Sequence, residues 1–311
     1  MLAELIRRLF STAIVVLGVV VLVFLLIHFI PGDPVDVMLG ESAAPADRAA
    51  LRESLGLDRP LGAQLLDYLG SLASGELGQS LHQRRPITEL LAERIPATLE
   101  LALAALAFAL ALALPLGLIA AVRRNTGWDR SAMAFSLLGV SIPNFWLGPL
   151  LILLFSVWLG WLPVSGRESA GALVLPALTL GLSLAAVLSR MVRSSVLEVL
   201  GEDFIRSAYA RGLSTRQVLT RHALPNALLP VITVLGLQLG TLLAGAVITE
   251  VVFGWPGLGS LTNEAIQSRD YPLVQACVLV ISLSYVLVNT LTDLLYAWID
   301  PRIRLGANNA G

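Results

Sequence analysis

Gly201-Glu202-Asp203-Phe204-Ile205-Arg206-Ser207-Ala208-Tyr209-Ala210-Arg211-Gly212 is a polar, patterned stretch set between two long apolar runs. Acids open it and arginines close it, which complements a helix macrodipole. Gly212 stands where a helix would stop in the left-handed region. Next comes Ser214-Thr215-Arg216-Gln217. That spacing fits a capping box, with Ser214 accepting from a backbone N–H and Gln217 reaching back. A second helix is expected to about Leu224, where Pro225 discourages continuation. Phe204, Ile205, Ala208 and Tyr209 form an apolar face with no obvious partner in so short a loop. Loops of compact proteins usually run about 4–6 residues, so residues 197–226 form an unusually long and ordered one. From the residues alone two readings stand even: a helix pair resting on lipid headgroups, or an element docking a soluble partner.

The flanking runs set the class. Of 311 residues 56% are apolar and 14% charged, with mean hydropathy +0.78. A soluble domain holds nearer 45–50% apolar and about 25% charged residues. A bilayer span needs about 20 mostly apolar residues. Six stretches qualify: Leu9–Ile30, Thr98–Val122, Ser131–Leu159, Ala172–Val196, Ala227–Phe253 and Pro272–Ile299. The first begins like a signal peptide. Its apolar run is too long, however, and Pro31-Gly32-Asp33-Pro34 follows in place of a small-residue cleavage site. It is read as a retained span. The expected fold is therefore an all-α integral membrane protein of six transmembrane helices. Residues 1–30 form the N-terminus and first span, 31–97 an outer segment, and 98–311 a five-span core carrying the 197–226 loop.

The 21 basic residues are all arginine. With no lysine, a phosphate-binding P-loop of the Walker type is excluded, as is any Schiff-base lysine. Any ATP must be held by another chain. If the N-terminus is cytoplasmic, 13 of the 21 arginines fall on the inner side and 8 on the outer. The positive-inside rule then favours both termini inside. Cys277 is the one cysteine, so no internal disulfide can form. His28, His82 and His222 lie too far apart in sequence for a local metal-ligand spacing. In the outer segment Ala46–Leu55, Ala63–Leu72 and Ile87–Arg94 have helical apolar spacing, which predicts short helices on the outer membrane face.

Several intramembrane residues are candidates for function. Pro143 and Asn144 interrupt the third span, and such a break is tolerated where protein or a cavity meets it. Glu250 near the outer end of span five and Asp293 near the inner end of span six are ionisable groups in spans. For Glu250 a gate role and a plain bond to nearby groups stand even; Asp293 reads as structural. Trp255 lies in a bent outer loop, Gly254–Gly259, read as a gate or a contact for an external protein. Trp146, Trp158, Trp161, Trp255 and Trp298 mostly fall near span ends, and an aromatic belt explains most of them. Gly236, Gly240 and Gly245 suit close helix packing.

The loop resembles the cytoplasmic motif of bacterial ABC-importer permeases, E-A-A-x3-G-x9-I-x-L-P. Arg206-Ser207-Ala208 stands at E-A-A, Gly212 at the glycine, and His222-Ala223-Leu224-Pro225 at I-x-L-P. Along the chain Ile30-Pro31-Gly32-Asp33-Pro34, Leu55-Gly56-Leu57-Asp58-Arg59-Pro60-Leu61 and Pro96-Ala97-Thr98-Leu99-Glu100-Leu101 resemble hallmarks of the dipeptide, oligopeptide and nickel permeases. So do Pro143-Asn144-Phe145-Trp146-Leu147-Gly148, Leu159-Gly160-Trp161-Leu162-Pro163, Phe253-Gly254-Trp255-Pro256-Gly257-Leu258-Gly259, Arg269-Asp270-Tyr271-Pro272 and Asp300-Pro301-Arg302. The long outer segment matches the B-type subunit.

That resemblance implies a type I importer permease of the cytoplasmic (inner) membrane. Its cargo would be di- or oligopeptides, or related solutes such as glutathione or chelated nickel. Its partners would be a second, homologous permease, two cytoplasmic ATPases that bind the ATP and Mg²⁺, and a periplasmic or lipid-anchored substrate-binding protein. Lipid surrounds it, and no nucleic acid is implied. The chain itself would hold no catalytic residue, cofactor or metal. Asp203, Arg206, Ala208, Arg211, Gly212, Leu224 and Pro225 would belong to the ATPase-coupling loop, and Pro143, Asn144, Glu250 and Trp255 to the pathway or gate. A rival expectation is a proton-coupled secondary transporter or channel using Glu250 or Asp293.

Overall fold

The computed structural model describes residues 2–29, 35, 44–54 and 57–299, and these are almost entirely helical. The Pro31–Pro34 and Asp300–Arg302 hallmarks lie outside the described residues, as does the Asp293 side chain. Twelve helices are used below: α1 (Leu2–Phe29), α2 (Pro45–Ser54), α3 (Leu61–Ser74), α4 (Ile87–Val122), α5 (Gly127–Ser141), α6 (Asn144–Leu151), α7 (Val174–Leu200), α8 (Asp203–Ala210), α9 (Thr215–Val218), α10 (Leu224–Phe253), α11 (Leu258–Gln267) and α12 (Tyr271–Ile299). Wider π-helical turns extend α6 over Ile152–Trp158 and join α9 to α10 over Leu219–Ala223.

Four helical runs are long and apolar enough to cross a membrane: Ile87–Val122, Val174–Leu200, Thr215–Gly240 and Tyr271–Thr292. The pair Gly127–Ser141 and Asn144–Trp158 is bent by 104° and adds up to one crossing more. Within α1 the shorter apolar stretch is Phe10–Leu25. By length and composition the described residues thus carry up to five crossings.

Two boundaries differ from those expected. The Ile87–Arg94 helix and the second span are one helix, α4, of 36 residues. At 1.5 Å per residue it is about 54 Å long, more than one crossing of about 30 Å of hydrocarbon needs. It passes through Pro96, whose ring displaces the carbonyl of Ala92 from helical bonding. Both residues lie on an exposed face, where the freed carbonyl can meet solvent. Pro225 likewise does not end a helix. It lies in the first turn of α10, directly after the π turn. That wider winding relieves the clash a proline makes with the preceding turn, and Asn226 Nδ2 donates to the His222 carbonyl at 2.7 Å.

The chain divides into two compact units, Met1–Thr98 with Pro256–Val286, and Leu99–Trp255 with Leu287–Gly311. In the first, Ile87, Leu90 and Leu91 of α4 pack with Leu258, Leu261 and Ala265 of α11 and with Leu273 and Cys277 of α12. Tyr68, Leu69 and Leu72 of α3 pack on Val20, Val23 and Leu279, and burial pushes the Tyr68 phenol up to about 12. Asp270 caps α12 by accepting from Leu273 N, and its other oxygen accepts from Ser80 Oγ at 2.5 Å and His82 N at 3.1 Å. One carboxylate therefore ties the 79–86 turn to the start of α12. An open pocket of 480 Å³ lies beside it, lined by His82, Gln83, Glu264 and Gln267 among others.

In the second unit α7 is the centre, packed by α5, α6 and α10. Small residues permit the approach. A Cβ on Gly139 of α5 would lie 2.6 Å from the Ala186 Cβ, and one on Gly117 of α4 would lie 2.6 Å from the Ser189 carbonyl. On α10, a Cβ at Gly236 would overlap the Thr292 side chain of α12. Close helix packing is thus realised at Gly236 as its sequence setting suggested.

A candidate coupling loop and the polar groups of the spans

The α8–α9 pair is folded on itself. Ile205 and Ala208 of α8 meet Val218 and Ala223, all buried, with Val199, Leu200, Leu213 and Leu219 packed around them. Fully burying an Ile or Val side chain contributes about 1.5–3 kcal/mol, enough to fix so short a pair. The end of α8 is a complete Schellman motif. Gly212 N donates to Tyr209 O at 2.9 Å and Leu213 N to Ala208 O at 3.4 Å, with Gly212 at φ +80°. The Ser214–Gln217 capping box is formed in both directions.

This packing divides the apolar face of α8 in two. Ile205 and Ala208 turn inward, whereas Phe204 and Tyr209 remain 42% and 43% exposed. Arg206, Arg211, Arg216 and Arg221 are all exposed, and Arg206 pairs loosely with Asp203 at 3.2 Å. The outward surface is therefore two aromatic rings among arginines, a composition common at the centres of protein interfaces. Ala208 lies buried beneath this surface, and exposed Gly212 ends α8 at its edge. Leu224 and Pro225 begin α10 behind it.

At the other candidate positions, Pro143 has an extended backbone and stands at the 104° break, and Asn144 opens α6 just past it. The Asn144 Oδ1 is buried with no hydrogen-bond partner, as is the Thr249 Oγ1 on α10. Glu250 is wholly buried, and its carbonyl accepts from Trp255 N at 2.8 Å as α10 ends in left-handed Gly254. The Trp255 ring is buried, with the Arg167 guanidinium 5.8 Å from its centroid. Arg167 also bonds Glu100 through Nε at 3.0 Å and Nη2 at 2.5 Å. The sequence singled out neither Arg167, Thr249, nor the Asp129–Arg193 pair described below. Their partners are 64 or more residues away, or, for Thr249, the signal is an unmade bond, and neither leaves a local pattern.

Among the described residues no group of three or more His, Cys, Asp or Glu side chains could hold a metal.

Helical runs of membrane-crossing length around a broken span, with a folded loop before α10, define the class as an all-helical membrane protein. Residues 113–305 match the family described as the inner membrane component of binding-protein-dependent transport systems, and residues 1–102 match its N-terminal companion. The chain belongs to that family and is a permease subunit of an ABC importer, a multi-pass component of the inner membrane. It is 46% identical to the di/tripeptide transport system permease protein DppB of Pseudomonas aeruginosa, over 98% of this chain and 99% of that one. It is 44% identical, over the same shares, to the dipeptide permease DppB of Escherichia coli and to the glutathione transport system permease protein GsiC of Salmonella choleraesuis. The fold resembles that of the inward-facing methionine ABC transporter MetNI, with TM-score 0.59 and 20% identity over 68% of this chain and 96% of that one. An amino acid ABC transporter solved with histidines gives TM-score 0.52 and 16% identity, over 69% and 94%. The expectation of a stand-alone proton-coupled transporter gives way to this membership.

Proposed function

We propose that this chain is one of two homologous permease subunits in an importer of short peptides. In this reading six spans run with both termini inside. Two cytoplasmic ATPases bind ATP and Mg²⁺, and an external binding protein delivers the cargo. The peptide class rests on relatives named for dipeptides, di/tripeptides and glutathione, each matched over nearly its whole length. The observation that carries the coupling role is the α8–α9 surface: a loop with its own small core that still leaves Phe204 and Tyr209 outside. Exposed rings on a rigid base suit a cleft in a soluble partner. Asp203, Arg206 and Arg211 would rim the contact. Ala208, Gly212, Leu224 and Pro225 would hold its shape. Pro143, Asn144, Glu250 and Trp255 are proposed to border the pathway, with the 104° break as its flexible point.

The test is a pulldown and uptake assay on the assembled importer carrying Phe204→Glu or Tyr209→Glu. The expected result is a permease that inserts and pairs normally but retains little ATPase and imports little peptide. Full ATPase retention with normal uptake in both variants would refute the coupling role. An intact complex that hydrolyses ATP yet accumulates no di- or tripeptide would refute the cargo.

A further inference from the structure

α5 and α7 are joined along their length, and one joint is charged. Asp129 lies in the first turn of α5 and is 5% exposed. Its Oδ1 accepts from Arg193 Nε at 2.6 Å and its Oδ2 from Arg193 Nη2 at 2.8 Å. The same Oδ2 accepts from Asn125 N at 2.9 Å, in the turn leaving α4. Only arginine offers two parallel donors of this geometry to one carboxylate. Further along, Ser136 Oγ donates to the Ala186 carbonyl at 2.5 Å, and Gly139 lies against Ala186.

What each end of this joint touches gives it a meaning. Seven residues past Arg193, α7 ends at Leu200, and Val199 and Leu200 pack into the small core of the α8–α9 loop. At the other end α5 runs from Asp129 to Ser141 and stops at the break before Pro143. A continuous chain of contacts thus runs from the cytoplasmic loop through Arg193 and Asp129 to the break. Apolar helix faces alone can slide past each other in small steps. A bidentate pair in a shielded place fixes one register, the best attested use of such groups.

We propose that Asp129 and Arg193 are positioning residues that lock α5 to α7, so that displacement of the α8–α9 loop reaches the Ile142–Pro143 break undiminished. The pair touches no cargo and acts only through the helices it joins. The inference rests on the coupling role proposed above, and it adds the route by which that coupling leaves the loop.

The test uses the complete importer with its partner permease, ATPases and binding protein in proteoliposomes. Asp129→Asn, Arg193→Gln and Arg193→Lys are compared with the exchange Asp129→Arg/Arg193→Asp. Arg193→Lys keeps the charge and serves where the neutral variants fail to assemble. The readout is peptide imported per ATP hydrolysed. Loss of the lock should lower it about tenfold, the middle of the usual range for coupling between sites, while ATP hydrolysis continues. Arg193→Lys should fall in between, and the exchange should recover much of the loss. Uptake and hydrolysis falling in proportion, or an unchanged ratio, would overturn the inference.

A second readout needs no cargo. Spin labels on Leu137→Cys and Thr220→Cys, both exposed, in a Cys277→Ser background, report the distance from α5 to the α8–α9 loop. It should stay constant on ATP binding in the parent and change in Asp129→Asn. A distance that changes in the parent, or stays fixed in both, would overturn the lock. The labels therefore decide the lock even if the peptide reading fails.

Discussion

Gly212 needs no space: a Cβ there would meet nothing within 4 Å, yet its φ of +80° lies where L side chains are strained. Gly212→Ala should therefore cost about 1–2 kcal/mol, read as faster proteolysis within the 201–214 loop and not as lost insertion. Ala208 has the opposite constraint, being fully buried among Ile205, Val218 and Ala223. Ala208→Glu would place an unpaired carboxylate in that core, which costs several kcal/mol. The loop should then lose protease protection before it loses any partner. Tyr209→Glu should leave protection intact and remove the partner alone. Limited proteolysis of the purified subunit separates the two, and equal protection in both variants would contradict the packing. At this scale the sequence was highly legible, because capping chemistry is local: Gly212 and the Ser214–Gln217 box are formed as their spacing implied. The split of the apolar face was not legible. It depends on where α9 folds back, and no period in α8 encodes that.

Among the elements, α10 and α12 approach closely at Gly236 in the second unit. Gly236→Ala would press a methyl group into the Thr292 side chain, and overpacking of this kind costs about 1–3 kcal/mol. Because the obstruction is a side chain, Thr292→Gly should recover most of the loss. A double-mutant cycle on thermal denaturation in detergent should thus show strong coupling, and additive losses would place the helices further apart. Element identity was legible from apolar run length, but boundaries at proline were not. Pro225 reads as a stop, and Pro96 falls between the expected Ile87–Arg94 helix and the Thr98–Val122 span. Each is accommodated instead, by an exposed carbonyl in one case and a π turn in the other. Pro143 carries the same residue type with the opposite outcome. There the residue before the proline is extended, as proline prefers, and the axis turns through 104°. What separates these cases is the packing around each carbonyl, which lies outside the local sequence.

Across the whole molecule, the pairs that hold each unit together join distant residues: Ser80 to Asp270, Glu100 to Arg167, Asp129 to Arg193. None has a sequence spacing that announces it, so the family motifs carried the overall reading where contact patterns could not. Orientation is the one global property that composition addresses directly. With a cytoplasmic N-terminus 13 arginines fall inside and 8 outside, and the proposed six-span arrangement then predicts the α8–α9 loop at the cytoplasm and the 79–86 turn on the opposite side. The single cysteine makes this testable, since Cys277 is buried and can be replaced by serine. In that background Gln83→Cys should react with a membrane-impermeant maleimide in cells whose outer membrane alone has been opened. Arg206→Cys should react only after the inner membrane is breached. Both side chains are exposed on the subunit, and in cells that carry the permeases without their ATPases failure to label could not be ascribed to burial. Labelling of both from one side would require an odd number of crossings to be lost between them, and would remove the six-span arrangement together with the coupling role that depends on it.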